Sequence, residues 1–161
     1  MASLLRSVTN PKWEKPAWMA AADVPADALT DLRADHNELS VWRVEPDLAN
    51  LDVALAALAS NRHHLDKLDY TLLDEATLPG IPIKCVRSDG STPYLAANAT
   101  VHRDLIELTV QKVARLAEQM IGLQRVRVSE KQVERLLREA LERGALDRTR
   151  MASKLLSELE S

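Results

Sequence analysis

Six of the seven leucines from Leu48 to Leu72, namely Leu48, Leu51, Leu55, Leu58, Leu65 and Leu72, recur with spacings of three, four or seven residues. On an α-helix such positions fall in one stripe. The segment is therefore predicted to be helical, capped at its start by Asp47 or Asn50 and stopped by Pro79-Gly80. At the polar pair Ser60-Asn61 the helix either runs on unbroken or divides in two, since Asn61 is itself a good N-cap. A second and longer helix is expected over VHRDLIELTVQKVARLAEQMIG, from Val101 to Gly122, with Asn98 or Thr100 as its cap; its apolar positions cover more than half of the helical circumference.

Composition agrees with helices. The chain has only four glycines and no phenylalanine, and leucine and alanine dominate, residues that lose little rotamer freedom in a helix. Three short runs read instead as strands: ELSVWRV (Glu38–Val44), apolar on both faces and hence interior, IPIKCVR (81–87) and LQRVRV (123–128). Asp89-Gly90 supplies the turn of a hairpin from Ile81 to Tyr94, with Pro93 confining its second arm to a sheet edge. A capping box, Ser129 with Gln132, opens a helix that ends at Gly144, and Asp147 begins a last short one. The expected architecture is α+β but mainly helical: a small sheet packed against two long amphipathic helices, followed by a C-terminal helical hairpin. Residues 1–25, which hold Pro11, Pro16, Pro25, Trp13 and Trp18, are expected to form an extended arm, residues 26–122 the core domain and residues 123–161 the hairpin.

At 161 residues and 17.9 kDa the chain has the size of one domain. With 46% hydrophobic and 28% charged residues it is not a disordered polymer. The lone cysteine, Cys85, forms no internal disulfide, and no run approaches the roughly 18 apolar residues of a membrane span. The opening MASLLRSVTNPKWEKP lacks the hydrophobic region of a secretory signal. The expectation is a protein of the reducing cytoplasm of a bacterial cell, with no membrane partner.

No P-loop, G-x-G-x-x-G, G-x-S-x-G or C-x-x-C occurs. The common nucleotide, hydrolase and redox mechanisms lack their parts, and no cofactor or metal is expected. The stretch SNRHHLDKLDY, Ser60 to Tyr70, is dense in titratable groups. On a helix His63 and His64 would point away from the leucine stripe and about 100° from each other, which describes a solvated face and not a metal pair. Arg62 and Asp69 fall inside the stripe, where a charge needs either an ion pair or a partner's surface. Cys85 reads as a small buried hydrophobe. His102 reads as a satisfied, mostly buried residue near the start of the long helix; Asp104 and Glu107 complement the helix dipole there, and Arg103 pairs with Glu107.

The leading functional expectation is a non-enzymatic protein-interaction subunit or adaptor that holds a protein partner or a second copy of itself. Its contact residues would be Arg62, Asp69, Trp13, Trp18 and, on the final helix, Leu155 and Leu159, unless the two tryptophans instead clamp the arm onto its own domain, the reading preferred for them. An alternative is a nucleic-acid-associated protein using Arg148, Arg150 and Lys154: residues 122–161 carry nine Lys and Arg against seven Asp and Glu, although Arg135, Arg138 and Arg143 lie at i, i+4 to glutamates. A third reading is a small enzyme built on His102 with Asp35, His36 or Asp89. It requires those groups to converge in one pocket within hydrogen-bond reach.

Overall fold

The computed structural model of the chain describes residues 1–80 and 82–161. Six strands, β1 (Ser3–Val8), β2 (Leu39–Val44), β3 (Leu68–Asp74), β4 (Lys84–Arg87), β5 (His102–Ile106) and β6 (Arg125–Val128), form one sheet in the order β4-β5-β2-β1-β3-β6. All of its pairings are antiparallel. Five α-helices, α1 (Leu51–Ser60), α2 (Leu95–Thr100), α3 (Val110–Ile121), α4 (Glu130–Glu142) and α5 (Ser153–Glu160), and several 3-10 turns complete the chain.

The sheet is buried on both faces. Leu5, Trp42, Val44, Leu68 and Tyr70 point to one side and pack with α1, α2, α4 and α5. Leu4, Val8, Leu39, Val41, Leu73 and Leu105 point to the other, where Trp13, the 3-10 turn Ala26–Leu32 and α3 cover them. Period-two alternation explains both sets, because adjacent residues of a strand face opposite sides. The two edges are short, and Lys84 and Arg87 on β4 and Arg125 and Arg127 on β6 place charge where another strand would otherwise add.

The mainly helical expectation is overturned: the sheet organises the fold. The leucine-stripe helix ends at Ser60, and LDYTLLD forms β3. The long helix from Val101 divides too, into β5 and α3; Glu107 takes a positive φ of 56° between them, and the Thr109 side chain caps α3 by accepting from the Lys112 amide. The N-terminal segment is extended at its start, where Ser3–Val8 runs as an interior strand of the sheet. β4 pairs with β5 instead of closing a hairpin at Asp89-Gly90, and α2 lies in the connection; Ile81 of IPIKCVR lies outside the described residues. Strands covered on both faces show near-continuous apolar runs, which periodicity alone does not separate from helices.

The C-terminal helices also depart from expectation. The capping box at Ser129 and Gln132 is present, and Gly144 ends α4 with a φ of 69°. Yet α4 and α5 form no separate hairpin: α4 packs on α1, and Leu155 and Leu159 of α5 sit in the same core as Leu5 and Trp42. ELSVWRV and LQRVRV do supply strands, β2 in the interior and β6 at an edge. Among the described residues no helix is long and apolar enough to cross a membrane.

Candidate functional site

His102 begins β5, and the sheet register decides what surrounds it. It is paired with Trp42 across β2, and Asp104 is paired with Ser40 in the same way. These four side chains share one face of the sheet by alternation. The Trp42 and His102 rings meet edge to face with centroids 4.9 Å apart. On the other side, Ser88 follows the last residue of β4, and its Oγ lies 2.9 Å from His102 Nδ1. Ser40 Oγ donates to Asp104 Oδ1 at 3.2 Å.

The loop after β4 is pressed against this row by a buried amide. Asn98 of α2 accepts from the Thr92 amide and hydroxyl at Oδ1, at 3.2 and 2.7 Å, and donates from Nδ2 to the Thr92 carbonyl at 2.7 Å. The Gly90 amide donates to the Asn98 carbonyl. Gly90 is required by proximity: a Cβ there would stand 2.7 Å from Asn98 Oδ1 and 3.1 Å from His102 Cδ2. The C-terminal segment clamps the loop from outside, with the Asp147 amide donating to the Pro93 carbonyl at 2.8 Å and Arg150 to the Ser91 carbonyl at 3.2 Å.

A tight turn before β2 supplies the facing wall. Asp35 and Glu38 exchange both backbone hydrogen bonds, and His36 and Asn37 between them have φ of 51° and 61°. Two positive values are what a type I′ turn demands, and His and Asn are among the residues that tolerate them. The Leu108 amide ties this turn down by donating to the Asn37 carbonyl.

Together these elements enclose an open depression of about 220 Å³ lined by Asp35, His36, Glu38, Ser40, Asp89, Gly90, Ser91, His102 and Asp104. The histidine and its three candidate partners from the enzyme reading, Asp35, His36 and Asp89, thus line one surface. They are not equivalent. His102 and Asp104 side chains are 7% and 17% exposed, with His102 Nε2 4.0 Å from Asp104 Oδ1, whereas Asp35 and His36 stand at the rim and are almost fully exposed. Among the described residues Nε2 makes no hydrogen bond, so the imidazole is held by one nitrogen and carries the other at the wall of the depression. The Ser88 hydroxyl both donates and accepts, so it satisfies either tautomer of His102 and lets Nε2 serve as donor or acceptor. Among the described residues no three His, Cys, Asp or Glu are placed to hold a metal ion.

Asp104, Ser40, Glu38 and Ser88 were missed by sequence reasoning. A strand over 102–106 would have exposed two of them, because it puts His102 and Asp104 on one face and pairs them with Trp42 and Ser40.

The other expected contact residues are scattered. Asp69, on β3, is forked by Arg127 of β6, while Arg62 donates to the Lys67 carbonyl at 2.6 Å in the loop after α1. His63 and His64 are exposed in that same loop, not on a helix. Trp13, Leu155 and Leu159 are buried in the chain's own core and are not free to meet a partner while it is folded; Trp18 is 82% exposed. Arg148 pairs with Glu160, and Lys154 is exposed. Cys85 is half-buried on β4, where burial and the nearby Glu75 push its thiol up, away from nucleophilic use. Comparison with family models, with curated proteins and with solved structures finds no match, so the functional reading rests on this geometry alone.

Proposed function

We propose that the chain binds a small polar molecule in the depression around His102 and exchanges a proton with it through Nε2. The observation that carries this is the asymmetry of His102: a side chain only 7% exposed, one nitrogen engaged by Ser88 and the other unengaged at the wall. Asp104 would stabilise the imidazolium after proton uptake, and Ser40 and Ser91 would orient ligand hydroxyls. At about 220 Å³ the depression is smaller than a drug-sized site, which points to a ligand of few heavy atoms. A reducing cytoplasm remains the proposed setting, on the strength of the single cysteine.

A screen of small polar fragments against the ¹⁵N-labelled full chain tests the reading. Hits are expected to move the amides of Ser40, Gly90, His102 and Asp104 together. His102→Asn, whose amide still offers Ser88 a partner, should abolish those shifts while leaving the rest of the spectrum in place. A folded protein with no hit at the depression sinks the reading.

The interaction-subunit reading stands second, favoured by one specific surface. An apolar groove of about 290 Å³ lies between the 3-10 turn and α3, where Leu29 is 44% and Val110 83% exposed. It would take an apolar segment of a protein partner, and Val110→Asp would block it. The basic-tail reading has less support, since Arg148 and Arg150 are already engaged within the chain.

A further inference from the structure

We infer that the ligand of the His102 depression is a small cation, carrying a primary ammonium or a guanidinium group; the inference rests on the ligand-site reading above and deepens it. Four carboxylates line the depression, Asp35, Glu38, Asp89 and Asp104, and no Lys or Arg is among the lining residues. The arginines nearby are turned to other work. Arg6 donates to the Ser40 carbonyl at 2.7 Å, Arg103 to the His102 carbonyl at 2.8 Å and Arg150 to the Ser91 carbonyl at 3.2 Å. Each therefore holds the backbone carbonyl of a lining residue. An anion entering here would meet like charge on several sides, and a neutral molecule would gain nothing from the carboxylates' field.

Carboxylates alone would only be a charged rim. The second observation is the buried imidazole: it adds a directional acceptor at the wall, with Nε2 free of hydrogen bonds among the described residues and its Cδ2 edge against Gly90. A cationic N–H donor can bridge Nε2 and Asp104 Oδ1, which are 4.0 Å apart, the carboxylate oxygen accepting it alongside the Ser40 hydroxyl. The ligand N–H donates a charge-assisted hydrogen bond to Nε2. For an ammonium the N–H bond can also break toward Nε2, its electron pair staying on the ligand nitrogen, but ammonium is a far weaker acid than imidazolium, so the equilibrium leaves the proton on the ligand; a guanidinium only donates.

Three four-carbon probes of equal reach and different charge test this: 1,4-diaminobutane, 1,4-butanediol and succinate, each titrated into the ¹⁵N-labelled full chain. The diamine is expected to shift the Ser40, Gly90, His102 and Asp104 amides saturably, and the other two to leave them unmoved. Asp104→Asn should weaken the diamine about tenfold or more. Asp89→Asn, at an exposed position where the fold is not at stake, should weaken it less but measurably. Diol or succinate binding at these amides as tightly as the diamine overturns the charge assignment and leaves the His102 site standing. Silence from all three probes at these amides, in a folded protein, overturns both.

Discussion

Arg127 and Asp69 meet across β6 and β3 in a two-point fork, Nε 2.8 Å from Oδ1 and Nη2 3.0 Å from Oδ2. The carboxylate side chain is 6% exposed and the arginine 49%, so the pair fastens an edge strand to the interior. The hydrogen bond from Arg127 holds the Asp69 carboxyl below its usual range, outweighing the burial that would raise it. A depressed folded value means stability that is fully present above the ordinary aspartate value of about 3.9 and lost as the pH falls through the folded value. Asp69→Asn is expected to lower stability by about 1.5–3 kcal/mol near neutral pH. Urea titrations at a series of pH values should show the difference from wild type shrinking toward the acid end; a constant difference would count against the pair.

Asp31 ties the N-terminal segment to the domain. Its carboxylate accepts from Trp13 Nε1 at 2.8 Å, from the Thr9 amide at 2.7 Å and from the Thr9 hydroxyl at 3.1 Å, while its backbone carbonyl accepts twice from Arg6. Asp31→Ala strands a buried indole N–H and is expected to cost about 3 kcal/mol. Hydrogen exchange at the Trp13 indole, slow in the wild type, should become fast in the variant, with the Trp42 indole as internal control.

Asn98 and Gly90 act as one unit under the ligand site. Asn98→Ala leaves Thr92 without its buried partner and should cost about 1–3 kcal/mol. Gly90→Ala drives a methyl into the Asn98 side chain and should cost a similar about 1–3 kcal/mol by overpacking. In the double variant the shortened side chain makes room for the methyl, so the two costs should sum to less than their separate values. Additive losses from denaturant titration of the four proteins would contradict this packing.

What the sequence revealed and what it hid follow from burial. Ser129 with Gln132 and the Gly144 stop were legible because caps are local chemistry. β2 was legible because Val41 and Trp42 are β-formers bounded by polar residues. β3 and β5 were not: in β3 Leu68 and Tyr70 face one side of the sheet and Leu73 the other, and periodicity does not separate such a near-continuous apolar run from a helix. That error moved His102 onto a helix, where Asp104 becomes a dipole partner and Ser40 is unrelated. In the strand, the same residues become a cross-strand pair. The groups Asp35, His36, Asp89 and His102 could be named as candidates beforehand, but their convergence depends on the register of β2, β4 and β5, which no local pattern encodes.

The most direct measurement is the imidazole ¹⁵N spectrum of His102, recorded on the full chain with and without the tightest-binding fragment. The Nε2 resonance is expected to move on binding, while Nδ1, held 2.9 Å from Ser88 Oγ, stays nearly in place. A fragment that occupies the depression and leaves Nε2 unmoved would contradict the account, reducing His102 to a packed residue beside Trp42.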